Sequence, residues 1–174
     1  MKLQNFEEFL NEKLQVSKEQ EKQILPILED YKKYLSDESN DMKHKKVLYV
    51  AFSGKEDKSI KELINNLEIP AIRINEAFKS REFFDILKTG NNQCIIFDDC
   101  PYDIIMSNYC AAMLKSISNE NERKFAIVVP KDKDNKPEYQ FNGRGELYFG
   151  GVVIILSNSK LKESYQKFFE YIEL

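Results

Sequence analysis

The sequence predicts an α/β domain built on a three-layer, mainly parallel β-sheet. A chain of 174 residues that is 42% hydrophobic and 12% aromatic can bury one sizeable core. Short, nearly continuous apolar runs alternate with segments of helical spacing, as in sheets covered by helices on both faces. One apolar run, residues 94–97, leads directly into Asp98 and Asp99. Ligands of open α/β sheets bind at the carboxyl ends of strands, so this pair marks a candidate site.

Composition argues against several functional classes. A net charge of −3 gives no general case for a nucleic-acid surface, and no apolar run approaches the ~20 residues of a membrane span. The acidic, amphipathic start of the chain is unlike a signal or transit peptide. Cys94, Cys100 and Cys110 lie in apolar segments without a CxxC pair. We therefore expect a cytoplasmic protein with reduced cysteines and no membrane partner.

The chain is expected to have three parts. Residues 1–36 have apolar positions at three-to-four spacing and form an N-terminal amphipathic helical segment, in which Pro26 begins a second helix or kinks a longer one. Residues 37–45 are a polar linker that holds the single histidine, His44. Residues 46–174 form the α/β core.

Within the core, strands and helices alternate. Residues 46–52 (KVLYVAF) form a first buried strand, and the amphipathic stretch 58–67 a first helix. A short strand over 70–74 and a helix over 76–88 follow, the helix carrying three phenylalanines. The strand that ends at the acid pair comes next. The remaining predictions are a helix at 104–117, strands at 125–129 and 152–156, a hairpin or excursion at 131–149, and a final amphipathic helix at 161–174.

The loop after the first strand contains part of a phosphate-binding pattern. Lys58 and Ser59 follow a strand and open a helix, where a P-loop has its phosphate lysine and its Mg²⁺-binding hydroxyl. Gly54 is the one glycine there, and Phe52 and Asp57 stand where the motif has glycines. A carboxylate ~4 Å from a phosphate charge costs about 4 kcal/mol at an effective dielectric of 20. A plain strand–helix turn is the alternative interpretation.

Two further strand ends carry candidate groups. Asp98 and Asp99 suit metal-dependent chemistry, but Asp is also common in turns and helix caps, as before the helix at 104–117. Such acid pairs also serve phosphohydrolases and nucleases, which need further acids. Asn158, after the last apolar strand, can hold an amide near a phosphate or water, or simply form a turn.

Taken together, these segments resemble the AAA+ class of P-loop ATPases, and more narrowly the small AAA-type ATPases of tailed bacteriophages. The similarity runs from about residue 46 to residue 160. The segments that carry it are 80–87, 94–100 (CIIFDDC), 111–115, 139–144 (YQFNGR) and 149–158, which ends in Ser-Asn.

The resemblance implies ATP or ADP with Mg²⁺ as cofactor. It makes Asp98 the metal-side acid, Asp99 the water-activating base and Asn158 the sensor-1 amide. Lys58 and Ser59 become the phosphate and metal ligands. The implied location is the cytoplasm, that of the host cell if the protein is phage-encoded.

Departures from the family pattern decide the functional hypothesis. Residues 159–174 are expected to form one helix and contain no arginine, so neither a helical lid nor an arginine finger is visible. With the altered loop, this favours a degenerate binding or regulatory module with weak or absent ATP hydrolysis. Its partner is a protein, either a phage complex or a second copy. The alternatives are a minimal Mg-ATPase with an atypical P-loop, and a nucleic-acid accessory protein that binds through residues 131–144.

Overall fold

The computed structural model describes residues 18–36, 42–52, 57–79, 82–118, 124–126 and 146–174. The strands are β1 Val47–Ala51, β2 Ala71–Ile74, β3 Cys94–Asp98, β4 Lys124–Ala126, β5 Glu146–Tyr148, β6 Val152–Ser157 and β7 Glu170–Glu173. The helices are α1 Lys18–Leu35, α2 Asp57–Asn66, α3 Phe83–Thr89, α4 Tyr102–Ile105, α5 Asn108–Ser118 and α6 Glu163–Gln166.

Five strands form one parallel sheet in the order β2-β3-β6-β1-β7. The central strands β1 and β6 are buried along their whole length, and β3 is buried up to Asp98. Nearly continuous apolar runs are what a parallel strand covered on both faces requires. The predicted α/β class with a parallel sheet is confirmed.

The predicted strand at 125–129 does not join the parallel sheet. Its described part lies in β4, which pairs antiparallel with β5 in a separate two-stranded sheet. The residues between these strands, and with them most of the predicted excursion at 131–149, lie outside the described part of the chain.

The prediction of one helix over 161–174 is wrong. The segment contains the four-residue helix α6 and then β7, which pairs in parallel with β1 along its outer side. Within β7 the Ile172 side chain is buried, and the Leu174 amide just after the strand donates to the Ala51 carbonyl at 2.8 Å. β7 gives β1 a second hydrogen-bonded neighbour. The parallel sheet therefore gains a strand from a segment that was predicted to be helical.

Two other helices differ from their predicted bounds. The helix predicted at 76–88 is α3, which begins only at Phe83. The helix predicted at 104–117 is two helices, α4 and α5, which are separated at Met106 and Ser107. Ser107 accepts the Cys110 amide on its hydroxyl at 3.4 Å and thus supports the start of the second helix.

Two apolar clusters cover opposite faces of the parallel sheet. Helices α1 and α2 pack on one face, where Ile24, Leu28 and Ile60 are fully buried. Helices α3, α4 and α5 pack on the other face. The predicted linker is joined to α1, because the Asp30 carboxylate accepts the Lys43 and His44 amides at 2.9 Å each. No described helix is long and apolar enough to cross a membrane.

Candidate functional site

The carboxyl ends of β1, β6 and β3 lie side by side at one edge of the sheet. After β1 the chain continues into α2 on one face, whereas after β3 it continues into α4 and α5 on the other. Such a divergence opens a crevice outside the strand ends, which is the usual ligand position in open α/β sheets. We call the ends of these three strands the carboxyl edge.

Asp98 ends β3 at this edge and faces α2. Cys94 and Ile96 alternate with it on the same face, and its side chain is 13% exposed. The Lys61 ammonium lies 2.8 Å from Oδ1, and an Arg73 guanidinium nitrogen lies 3.7 Å from Oδ2. The Lys61 contact is an ion pair without hydrogen-bond alignment, and Oδ1 has no hydrogen-bond partner among the described residues. The negative charge of Asp98 is therefore compensated by cations from two elements, Lys61 on α2 and Arg73 on β2.

Asp99 continues the acid pair into a turn. Its φ is 56°, in the left-handed region that Asp tolerates better than most residues. Lys61 donates from Nζ to its Oδ2 at 3.4 Å, and the side chain is 60% exposed. One ammonium thus contacts both carboxylates, and Asp99 also remains accessible to solvent.

Two of the predicted phosphate-binding residues, Lys58 and Ser59, lie in the first turn of α2. The Lys58 side chain is 88% exposed, and its ammonium lies 3.9 Å from a Glu62 carboxylate oxygen on the same helix. Ser59 follows in the first turn of α2 and is half-buried. Gly54 lies outside the described residues. The nucleotide-binding roles of these three residues remain predictions.

Asn158 lies at the carboxyl edge directly after β6, and it is exposed. Its Oδ1 accepts the Ser159 hydroxyl at 3.3 Å, and the buried Ser157 hydroxyl accepts the Ser159 amide at 3.1 Å. Tyr49 donates from its hydroxyl to the Ser159 carbonyl at 2.8 Å. These bonds are typical of a turn that ends a strand, and the sensor role of the amide remains a prediction.

Sequence reasoning missed Lys61 and Arg73. The phosphate-binding pattern is aligned on Lys58, one turn before Lys61 in α2. The helical spacing contained a usable signal, because Ile60 and Ile64 form the buried side of α2 and Lys61 flanks that side. Lys58 falls on the opposite side. No comparable pattern identified Arg73, which lies on the short edge strand β2.

The three cysteines are buried, free and protonated at neutral pH, as predicted for core residues. Burial raises the pKa of Cys94 to about 12, and that of Cys110 to about 11. The pKa of Cys100 is also raised to about 11, first by burial and then by the charges of Asp98 and Asp99. A nucleophilic role would require a lowered pKa, so these thiols are structural.

The cations beside the acid pair, rather than the number of carboxylates, oppose a bound Mg²⁺, because Mg²⁺ usually takes only one or two protein carboxylates together with waters and phosphate oxygens. No group of three or more His, Cys, Asp or Glu side chains that could hold a metal ion occurs among the described residues. The two carboxylates at the edge already face two cations, Lys61 and Arg73. A magnesium ion takes oxygen ligands at about 2.0–2.1 Å and would have to displace Lys61 from Asp98.

Comparisons with known proteins do not place the chain in a family. No family model matches the sequence, and no curated protein matches it. Among solved structures, two inhibitor- or compound-bound forms of JCV helicase align over 86% of this chain, with TM-scores of 0.43 and identities of 12% and 13%. The chain spans 39% of the length of those helicase chains. Likeness at this level carries no argument about function, so the case below rests on the carboxyl edge itself.

Proposed function

We propose that this protein is a degenerate AAA+-like domain that works as a binding or regulatory module with weak or absent ATP hydrolysis. The observation that carries the proposal is the pairing of Asp98 and Asp99 with Lys61. A carboxylate that lies beside a fixed ammonium is a poor metal ligand, because the ammonium charge repels an approaching cation.

The exposure of the two lysines on α2 supports the same conclusion. Lys58, at the position expected for a phosphate ligand, extends into solvent beside Glu62. Lys61, which contacts the acids, has a side chain only 24% exposed. Of the two lysines on α2, the less exposed one, Lys61, is therefore the one that contacts Asp98 and Asp99.

Phosphate release from Mg·ATP tests the proposal. We expect the wild-type chain and the Asp99→Asn variant to show the same rate, indistinguishable from a blank without protein. Lys58→Ala is the matched control, and it should change nothing. Wild-type turnover that falls at least ~10²-fold in Asp99→Asn, as expected for loss of a general base, would contradict the proposal.

The second candidate function is a minimal Mg-ATPase with an atypical P-loop. It is favoured by the position of the acid pair beside the strand ends where the connections diverge, and by the 60% exposure of the Asp99 side chain. The same assay decides between the two functions. The nucleic-acid alternative depends on residues 131–144, which lie outside the described part of the chain.

A regulatory module needs a partner, which we propose to be a protein: a phage complex or a second copy of this chain. Helix α1 uses its apolar side on the sheet, with Ile24, Leu28 and Tyr31 fully buried. Docking through the described part of the N-terminal segment would therefore use its charged outer side, which includes Lys22 and Glu19. Binding through that side would weaken as salt is added.

A further inference from the structure

We propose that Lys61 is the resident counter-ion of the carboxyl edge and occupies the position that a divalent metal ion would otherwise take. The inference deepens the proposed function, on which it rests, by naming the cation that this edge uses. Its first support is geometric. A single ammonium lies 2.8 Å from Asp98 Oδ1 and 3.4 Å from Asp99 Oδ2, so it bridges two carboxylates as a metal ion does.

The second support is the charge balance. Asp98 and Asp99 contribute two negative charges, and Lys61 and Arg73 contribute two positive charges within 4 Å of them. Among the described side chains these charges balance, and an incoming divalent cation is repelled by both Lys61 and Arg73. Binding therefore requires that Lys61 first leave Asp98.

The third support is that the fold holds Lys61 in place. Ile60 and Ile64 anchor α2 on the sheet, and Lys61 flanks that buried side with a side chain that is 24% exposed. The carboxylates are held as well, because Asp98 ends a central strand and Asp99 sits in a left-handed turn. The bridge joins two rigid elements, so it costs less side-chain entropy than a contact between two exposed chains.

Arg73 has a different role from Lys61. Among the described residues its ion pair is with Asp98, at 3.7 Å, and its guanidinium also donates to the Asn65 side chain on α2. Among the described residues, Lys61 is the cation that contacts both acids. Removing Lys61 should therefore open the pair to a metal ion, and removing Arg73 should do so less.

Calorimetric titration of the full chain with Mn²⁺ tests the inference, since Mn²⁺ accepts carboxylate ligands. We expect no saturable binding to wild type or to Lys58→Met, a matched loss of a lysine from the same helix. Lys61→Met should show saturable Mn²⁺ binding, with an affinity at least about tenfold above the weakest that the titration detects, a difference of ~1.4 kcal/mol. The added binding should disappear in Lys61→Met combined with Asp98→Asn.

Saturable micromolar Mn²⁺ binding by wild type would overturn the inference, whatever the variants do. So would a folded Lys61→Met that binds Mn²⁺ no better than wild type, with folding checked by circular dichroism. If Lys61→Met does not fold, Lys61→Gln is titrated in its place under the same criteria. ATP turnover is a separate measurement, so failure of the proposed function is distinguishable from failure of this inference.

Discussion

The two ends of the parallel sheet hold their cations in different ways. At the amino end, Lys46 is buried and donates to the Tyr34 hydroxyl at 2.7 Å and to the Phe149 carbonyl at 3.3 Å. These partners are neutral. At the carboxyl end, the cation contacts two carboxylates, Asp98 and Asp99. At the amino end, the Lys46 ammonium is therefore hydrogen-bonded inside the fold. At the carboxyl end, charged groups of both signs lie together at an edge that solvent reaches.

The two ends of the sheet also differ in how closely their residues are packed. At the amino end, Asn91 accepts the Gly150 amide on Oδ1 at 2.8 Å, and the Gln93 carbonyl accepts the Val152 amide at 3.1 Å. Backbone and side chains are in close contact there. At the carboxyl end, the Asp99 side chain is 60% exposed. The comparison indicates that the amino end is closely packed, whereas the carboxyl end remains accessible to solvent at Asp99.

The largest expected effect is at the amino end. A Cβ at Gly151 would lie 2.2 Å from the Gln93 carbonyl oxygen, a backbone atom with little freedom to move. A Cβ at Gly150 would lie 2.0 Å from Asn92 Oδ1, the far end of a side chain that can turn away. We expect Gly151→Ala to lower the free energy of unfolding by about 3 kcal/mol, and Gly150→Ala by about 1 kcal/mol, measured by urea denaturation. Equal losses would contradict this difference.

A smaller effect is expected at the carboxyl end. Asp98→Asn removes a charge from a side chain that is 13% exposed and leaves two cations without it, so we expect a loss of about 2 kcal/mol. Asp99→Asn removes a charge from an exposed side chain, and we expect no more than about 0.5 kcal/mol. Urea denaturation in low salt measures both. A larger loss for Asp99→Asn than for Asp98→Asn would show that Asp99 is the main partner of Lys61 and would contradict this prediction.

The smallest expected effect is on the pKa of the Cys100 thiol, which responds to the charges of Asp98 and Asp99 at the carboxyl edge. The charges of Asp98 and Asp99 help to raise its pKa, so Asp99→Asn should shift the pH profile of its disulfide-exchange reactivity to lower pH. We expect a shift of less than about one pH unit. Cys110 is the internal control, because burial rather than these acids raises its pKa. A shift of the same size at Cys110 would contradict the assignment.

The raised thiol pKa values also predict a change of stability with pH. An unfolded cysteine ionises near its ordinary value of 9.0, whereas Cys100 and Cys110 ionise at about 11 in the fold. The protonated thiol therefore favours the folded state, and this contribution is complete below pH 9. The free energy of unfolding should fall as the pH rises from 9 toward 11. Replacing Cys100 and Cys110 with alanine should make that decline shallower, and the remainder should include the contribution of Cys94, whose pKa is raised to about 12.

The central strands could be predicted from the sequence, and the last strand could not. β1, β3 and β6 are apolar runs buried on both faces, a pattern that hardly depends on the rest of the fold. β7 is a four-residue edge strand with one buried residue, Ile172. Its apolar spacing also fits a helix, and pairing with β1 decided the outcome. Such pairing is a tertiary effect that local spacing does not contain.

Only part of the candidate site could be predicted, again because tertiary contacts determine the rest. The position of Asp98 and Asp99 at a strand end follows from the strand itself. The cations that compensate them come from α2 and β2, which are distant in the sequence and reach the acids only through the topology of the sheet. The carboxylates were thus predictable from local pattern, but their partners were not.

The central claim is that Lys61 remains the cation of the carboxyl edge when metal is present. It is tested most directly by nuclear magnetic resonance of the lysine side-chain ammonium groups, with the Lys61 signal assigned by its loss in Lys61→Arg. We expect a protected Lys61 signal that does not move when millimolar Mg²⁺ is added, with or without ATP. A Lys61 signal that shifts or broadens on addition of Mg²⁺, while that of Lys58 does not, would show that metal displaces Lys61 and would contradict the account.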